Sequence, residues 1–334
     1  MSNKKTWALM LQMSTHFAYA KSNSLPLDDS MWNYMIENAA KSGFNTLVLE
    51  VNDGVELASH PEIALPGAWS RTRLRKEIKR CNDLGLTVIP KFNFSAGHCL
   101  WLGKYARMIS TDIYYQVCND IIKEAYELFN HPEYIHIGMD EEDEEHARYN
   151  PDGYCMFRRG ELYWHDLRFL LDCVKDTGAK PWMWYDPTLG HNPHTVDDTE
   201  YRKHVELDEA MLSPWYYDSF DRAKFRRVEE YEYDFSPYEL LNLEYIEDIP
   251  KLVDFRENII NHMHEGYSYI PCSWARNKGN TYDIMEFFTK APKDKYFGQI
   301  VSTWCMVQEK NRETLENALT EFKKAKDTFY PDEK

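Results

Sequence analysis

Two carboxylate side chains stand next to each other at a point in the sequence where they could do acid-base chemistry. Asp140 and Glu141 follow directly on residues 134–137, a mostly apolar run with the length of a buried strand. One carboxyl of such a pair can donate and accept a proton while the other stays ionised and stabilises developing charge. The pair therefore predicts an acid-base site.

Four more acidic residues, at positions 142–145, follow this pair. Runs of like charge usually lie on a solvated surface, so we expect these four side chains to be exposed and to take no part in chemistry. A metal site built from His136, Asp140 and His146 is an alternative. His136 alternates with apolar neighbours inside the predicted strand, which is more typical of a histidine in the core. We therefore predict no metal and no cofactor.

The elements that must position the pair alternate along the chain. Eight short apolar segments alternate with segments of helical periodicity, and no Pro/Gly/Ser-rich linker divides them. This alternation predicts parallel strands joined by right-handed crossovers, and eight units are the number in a (β/α)8 TIM barrel. An open doubly wound sheet is the alternative, but it would need a glycine-rich first turn that is absent here. The predicted strands are residues 7–13, 46–49, 86–90, 134–137, 181–185, 210–216, 267–272 and 300–304.

We accordingly predict one catalytic barrel domain, of class α/β, over residues 1–334. Two long polar stretches, residues 189–207 and 221–243, are expected to be loops over the catalytic face.

Polar and aromatic residues gather at the predicted carboxyl ends of the strands, where barrel enzymes carry their sites. Carboxylates supply protons and stabilise charge, while flat aromatic faces suit the apolar faces of sugar rings. The combination predicts a glycosidase. The candidate site residues besides the acidic pair are Glu50, Asp53, His98, Trp184, Trp215, Tyr216, Asp218, Trp274, Arg276 and Trp304.

Whole-chain composition argues against several other functions. With 39 basic and 55 acidic side chains in 334 residues, the net charge is -16. Nucleic acids and anionic membranes both require basic surfaces, so neither is an expected partner. No apolar run approaches the roughly 20 residues of a membrane span.

The cysteines and the N-terminus indicate a compartment. Seven dispersed cysteines without a CxxC pair are typical of reduced thiols, and the first residues lack the features of a signal peptide. We expect a soluble, cytoplasmic protein that binds carbohydrate. The sequence leaves open whether it forms a homodimer.

Five segments, in the expected order, resemble the catalytic barrel of glycoside hydrolase family 20, the β-N-acetylhexosaminidases. Residues 134–141, Tyr-Ile-His-Ile-Gly-Met-Asp-Glu, are similar to that family's His-x-Gly-Gly-Asp-Glu signature. The resemblance implies a (β/α)8 barrel and retention of configuration by substrate-assisted catalysis, in which the sugar's own 2-acetamido oxygen attacks C1. The other matching segments are residues 45–53 (followed by 60–62), 89–98, 213–218 and 298–304.

The resemblance also implies a role for each matched residue. Glu141 would be the general acid and then the base, while Asp140 would hold the acetamido N–H. Tyr216 would donate a hydrogen bond to the acetamido oxygen. His98 and Asp53 would form a relay behind the general acid. The walls of the acetamido pocket and the sugar site would be Trp184, Trp215 and Trp304.

The sequence departs from this family where the family recognises sugar hydroxyls. Thr15 stands in place of an arginine after strand one, Glu50 in place of a strand-two histidine, and Met139 in place of the second signature glycine. Met306 replaces the glutamate of a final Trp-x-Glu. We therefore expect preserved chemistry with an altered sugar preference, for which the galacto configuration is the natural candidate. Arg276 and Glu50 are the candidates to replace the missing contacts.

Two other function classes stay open. One is a sugar-binding barrel without turnover, although binding alone would not require the retained acid, charge stabiliser and relay. The other is a hydrolase of the same fold that acts on a different sugar or substrate, dependent on a metal or on carboxylates alone.

Overall fold

The computed structural model describes residues 5–14, 23–142, 157–185, 198–215, 217 and 249–333. These residues form eight parallel strands in a nearly closed ring with helices outside it, so the predicted TIM barrel is confirmed. The strands are β1 (Thr6–Gln12), β2 (Thr46–Glu50), β3 (Thr87–Lys91), β4 (Tyr134–His136), β5 (Lys180–Tyr185), β6 (Met211–Pro214), β7 (Cys272–Trp274) and β8 (Gly298–Met306).

One helix follows each strand in the described part of the chain. The helices are α1 (Asp29–Lys41), α2 (Arg71–Asp83), α3 (Asp112–Leu128), α4 (Glu161–Thr177), α5 (Asp198–His204), α6 (Ile249–Glu265), α7 (Asn280–Phe287) and α8 (Arg312–Phe329). None of the helices among these residues is long and apolar enough to cross a membrane.

The strands pair in the order β6-β5-β4-β3-β2-β1-β8-β7. Two isolated parallel bridges, Leu212 with Tyr269 and Trp215 with Cys272, link the β6 side to the β7 side. The seventh strand lies later than residues 267–272, where we predicted it. Tyr269 joins its neighbours only through isolated bridges, and regular pairing with β8 begins at Cys272.

The predicted loops are only partly within the described residues. Residues 221–243 lie outside them. The stretch 189–207 contains helix α5, so its predicted loop character is wrong for residues 198–204.

Alternation along each strand divides the core into two layers, as a barrel requires. On β5, Trp182 and Trp184 point into the barrel, whereas Met183 and Tyr185 pack beneath the helices. Trp182 is completely buried and donates from Nε1 to Ser213 Oγ of β6 at 2.7 Å. The filled interior leaves the carboxyl ends of the strands as the place where side chains can meet a ligand.

Candidate active site

The loop after β4 carries the acidic pair in an unusual backbone conformation. Gly138, Met139 and Glu141 all have positive φ, at 73°, 70° and 53°. Left-handed conformations are uncommon for residues other than glycine, and they cluster at functional sites because the surrounding structure must hold them. The surrounding structure therefore holds this loop, and the two carboxylates on it, in one conformation.

Asp140 is held from the neighbouring loop after β3. Asn93 Nδ2 donates to Asp140 Oδ1 at 2.8 Å, and the Asn93 carbonyl accepts from Trp101 Nε1 at 2.7 Å. A Cβ on Gly138 would lie 2.2 Å from Asn93 Oδ1, so only glycine allows this close approach. The two loops are consequently locked together at the point where they carry chemistry.

Glu141 meets His98, the histidine that the sequence places after strand three. His98 Nε2 lies 2.9 Å from Glu141 Oε2 and 3.7 Å from Asp140 Oδ2. The Glu141 side chain is 17% exposed, against 7% for Asp140 and 1% for His98. Glu141 is thus the more exposed of the two carboxylates at the barrel mouth.

The structure brings together three of the five predicted catalytic residues: Asp140, Glu141 and His98. Asp53 is buried just beyond the end of β2. Tyr216 lies outside the described residues, and so does Asp218 of the predicted substrate-binding set.

The same three side chains also form a cluster with metal-ligand chemistry. One ligand atom from each of His98, Asp140 and Glu141 lies within 4.8 Å of the other two. His136 is not part of this cluster, and His146 lies outside the described residues. Instead, His136 Nδ1 accepts from Gly138 N at 3.1 Å, and its ring packs edge-on against Trp184. Burial lowers the pKa of His136 well below its usual value, and the positive charge of Lys91 acts in the same direction.

Aromatic rings line the mouth in a continuous series. Trp184 and Trp304 lie 5.5 Å apart between centroids, and Trp304 Nε1 donates to the hydroxyl of Tyr217 at 2.9 Å. The Tyr217 ring stacks on Trp215 at 5.2 Å and lies 5.5 Å from Trp274. All four predicted tryptophans therefore belong to one aromatic surface, in which Trp274 and Trp304 are partly exposed while Trp184 and Trp215 are buried.

Tyr217 also lies at the mouth, although it is not among the predicted site residues. Burial raises its pKa well above the usual value, and the Asp140 and Glu141 carboxylates push it in the same direction. The hydroxyl therefore stays protonated and can donate a hydrogen bond. The alternation of side chains along a strand could have identified Tyr217, because it is two residues after Trp215 and therefore lies on the same face of the chain.

Glu50 contacts protein side chains in the barrel interior. It is completely buried, accepts from Gln12 Nε2 at 2.7 Å and pairs with Lys91 Nζ. The Lys91 ammonium lies 5.6 Å from the ring centroids of both Trp184 and Trp304. Glu50 is thus connected to the aromatic surface through Lys91.

Arg276, the other candidate for a hydroxyl contact, lies at the rim. Its guanidinium is 5.7 Å from the Trp274 ring.

Glu142 corrects the prediction that residues 142–145 form an exposed acidic run. Its side chain is completely buried and forms an ion pair with Arg158, with Nε 2.8 Å from Oε1. A local run of charge does not reveal a partner sixteen positions later, so the sequence pattern alone assigned Glu142 to the surface. The other three residues of the run lie outside the described residues.

Comparison with solved structures finds the same barrel in glycoside hydrolase family 20. The β-hexosaminidase of Streptomyces plicatus, a mutant in complex with its product GlcNAc, matches with a TM-score of 0.58 and 14% identity, over 95% of this chain and 63% of that one. The β-N-acetylhexosaminidase of Bacteroides fragilis matches with a TM-score of 0.58 and 14% identity, over 95% and 65% of the two chains. An exo β-N-acetylglucosaminidase of Vibrio harveyi gives 0.56 and 14%, over 98% and 58%.

The predicted resemblance is confirmed at the level of the fold. This chain spans less than two thirds of the length of each of these three enzymes. No protein-family model matches the sequence, and comparison with curated proteins finds no match either.

Proposed function

We propose that this chain, with the barrel fold of family 20 hexosaminidases, is a retaining exo-β-N-acetylhexosaminidase that uses substrate-assisted catalysis. The observation that carries the proposal is the arrangement at the end of β4. Glu141 is partly exposed and contacts His98, while its neighbour Asp140 is buried and held by Asn93. Two adjacent carboxyls in different environments suit two different roles.

In the first step the acetamido oxygen of the sugar forms a bond to C1 while the bond from C1 to the aglycone oxygen breaks. Glu141 gives its proton to that leaving oxygen. The resulting five-membered ring carries positive charge, which Asp140 stabilises as it accepts a hydrogen bond from the acetamido N–H. Asn93 keeps Asp140 turned towards the mouth.

In the second step Glu141, now a carboxylate, takes a proton from water. The water oxygen forms a bond to C1, the bond from C1 to the acetamido oxygen breaks, and the acetamido group is restored with retained configuration. The imidazole of His98, 2.9 Å from Glu141, supports the change of protonation between the two steps.

The aromatic surface suits the apolar faces of the sugar and its acetamido methyl group. Trp184, Trp304 and Tyr217 form its inner part, and the protonated Tyr217 hydroxyl is available to the acetamido oxygen alongside the predicted Tyr216. Arg276 at the rim is our candidate for a hydroxyl contact, with N-acetylgalactosamine as the preferred terminal sugar.

The test is hydrolysis of p-nitrophenyl β-N-acetylgalactosaminide, β-N-acetylglucosaminide and the corresponding β-galactoside and β-glucoside, each with and without EDTA. We expect cleavage only of the two sugars with a 2-acetamido group, with no effect of the chelator. Cleavage of the sugars that lack this group would refute the substrate-assisted mechanism.

A Glu141→Gln variant completes the test. Loss of general acid catalysis should reduce kcat by about 100-fold or more. Binding of a thiazoline that mimics the cyclic intermediate should stay close to that of the wild type. Near wild-type turnover by this variant would exclude Glu141 as the acid.

The cluster of His98, Asp140 and Glu141 favours one second candidate, a metal-dependent hydrolase on the same barrel. In that case EDTA should abolish turnover and Zn2+ or Mn2+ should restore it, whereas the substrate-assisted enzyme should be indifferent to both.

A further inference from the structure

Two loops must keep a fixed relation for the proposed reaction to work. His98 lies in a 3-10 helical segment, Ala96–Arg107, after β3, and Glu141 lies in the loop after β4. The 2.9 Å contact between them joins side chains that come from different loops. The backbone of Glu141 is also left-handed, so its conformation has to be maintained by neighbouring groups.

Glu142, the residue directly after the proposed acid, connects these loops. Its Oε2 accepts from Ala96 N at 2.7 Å, at the first residue of the segment that carries His98. Its Oε1 accepts from the backbone N of Arg158 at 2.9 Å. The completely buried carboxylate therefore ties the loop after β4 to the loop after β3.

Arg158 closes the connection with its planar guanidinium. Nε and Nη2 donate to the two oxygens of Glu142 at 2.8 and 3.0 Å, and Nη2 also donates to the carbonyl of Phe94 at 2.6 Å. Nη1 lies 3.3 Å from Asp166 Oδ2 of α4. A bidentate pair of this kind fixes direction as well as distance.

Asp166 anchors the network to the outer helices. It accepts from Ser110 Oγ at 2.7 Å and from Tyr115 OH of α3 at 2.6 Å. The network thus runs from two helices to both catalytic loops, although neither Glu142 nor Arg158 belongs to the candidate active site.

We propose that Glu142 and Arg158 are positioning residues that hold Glu141 against His98 in the geometry required for proton transfer. This inference rests on the proposed function and adds to it two residues that touch neither sugar nor reacting atoms. The physical reason is that a displacement of about 1 Å in a catalytic group can cost about 100-fold in rate.

The first test uses Glu142→Gln, which keeps the volume but replaces one accepting oxygen with an NH2 donor. At the Oε1 position that donor would face the backbone N–H and Nε–H of Arg158, and at the Oε2 position it would face Ala96 N–H and Nη2–H of Arg158, so two hydrogen bonds of the connection are lost in either orientation. Phenyl and 2,4-dinitrophenyl β-N-acetylhexosaminides are the substrates. The phenyl leaving group depends on protonation by Glu141, whereas the dinitrophenyl group leaves readily without it.

We expect kcat/KM, which reports the first step alone, to fall by about 100-fold for the phenyl substrate and by less than about threefold for the dinitrophenyl substrate. A general loss of folded enzyme would lower both rates equally, and equal losses would overturn the inference while leaving the proposed function intact. The matched control is Glu209→Gln. That carboxylate pairs with Arg168 and Lys175 before the start of β6, away from the mouth, and its removal should not change the ratio of the two rates.

A second variant, and an NMR measurement that does not require catalytic activity, complete the test. Arg158→Lys keeps the positive charge but loses the planar fork, and it should change the rate ratio in the same direction even if Glu142→Gln does not fold. In protein labelled with 15N-histidine, the His98 ring signals, identified by their absence in His98→Gln, should move in both positioning variants and not in Glu209→Gln. If the His98 signals do not move in the positioning variants, the inference is wrong, whether or not the wild-type protein cleaves any substrate. A wild-type protein that cleaves none of the substrates would refute the proposed function, which is a separate result.

Discussion

At the scale of single residues, environment assigns different roles to chemically similar groups. Asp140 and Glu141 are sequence neighbours, but one is held by an amide in the interior and the other faces the mouth beside an imidazole. The adjacent Glu142 has a third environment, inside an ion pair with Arg158. In the function we propose, these three consecutive acidic residues have different roles: Asp140 stabilises positive charge, Glu141 transfers a proton and Glu142 positions a loop.

His136 shows how a buried residue beneath the site makes stability depend on pH. Burial opposes protonation of its imidazole, and the positive charge of Lys91 acts in the same direction. Its Nδ1 also accepts from Gly138 N, and a proton on Nδ1 would place two donors opposite each other. The pKa of His136 is therefore lowered in the folded protein. Below the unfolded value of about 6.5, the unfolded chain binds a proton here that the folded chain does not, so stability falls as the pH falls.

We expect the wild-type protein to lose unfolding free energy between pH 6.5 and pH 5 through this residue, by at most about 1.7 kcal/mol, the limit for an imidazole that stays neutral in the folded protein. A His136→Asn variant should lack that part of the loss, as measured by urea denaturation at several pH values. The control is His131→Asn, at an exposed residue, which should retain the full pH dependence. If His136→Asn retains it as well, the buried neutral imidazole is not its source.

Asp140 and Glu141 follow β4 almost directly, so the rule that barrel sites lie at the carboxyl ends of the strands is enough to place them at the mouth. His98 lies seven residues beyond the end of β3, in the segment Ala96–Arg107, so its contact with Glu141 depends on the path of a loop as well. Glu142 and Arg158 meet through irregular loops, whose paths have no periodicity in the sequence. The pair was therefore beyond prediction, and Glu142 was wrongly assigned to the surface.

At the scale of elements, apolar runs located the strands, but they did not define where pairing begins. The apolar stretch 267–272 precedes β7, whose regular pairing with β8 covers Cys272–Trp274. Hydrophobicity reports burial, whereas pairing depends on how closely the neighbouring strand approaches. Helix α5 is a second case, because its polar sequence lacks a wide apolar face and periodicity alone therefore predicts a loop there.

The contact between the loops after β3 and β4 depends on Gly138. A Gly138→Ala variant must place a Cβ 2.2 Å from Asn93 Oδ1, which displaces the side chain that holds Asp140. We expect kcat/KM on the aryl N-acetylhexosaminide to fall by about 100-fold. Stability should fall by more than the roughly 1 kcal/mol that a positive φ costs a residue other than glycine.

Gly85→Ala is the matched control for this prediction. Gly85 has a similar φ of 87° after α2, and a Cβ there would meet no atom within 4 Å. It should show the conformational cost alone, about 1 kcal/mol in urea denaturation, with activity unchanged. Equal activities of the two variants would mean that the approach of Asn93 does not position Asp140.

At the scale of the whole molecule, the barrel separates stability from chemistry by placing them at opposite ends of the strands. The predicted site residues come from the ends of seven strands, which only a closed ring brings together. At the other end, Trp7 of β1 donates from Nε1 to Glu333 at 3.0 Å and lies 5.9 Å from the ring of Phe322 in α8. The first strand and the last helix are thereby joined far from the mouth.

A substitution at Phe322 tests whether stability and chemistry are separated in this way. It is completely buried, and its ring stacks on Phe44 at 3.8 Å between α8 and the segment before β2. Phe322→Ala should lower the free energy of unfolding by about 3 to 5 kcal/mol, because it leaves a cavity between the helix layer and the barrel. Since the mouth is undisturbed, kcat of the folded enzyme at low temperature should stay within about twofold of the wild type.

Trp274→Ala at the mouth provides the opposite case. Its ring is partly exposed and packs on Tyr217, so its loss should weaken sugar binding and raise KM by about tenfold, the effect of about 1.4 kcal/mol in binding. Because the residue is only partly buried, the free energy of unfolding should change much less than in Phe322→Ala. If Phe322→Ala instead reduces kcat in proportion to its stability, the two ends of the barrel are coupled, and α8 has to be counted among the elements that position the site.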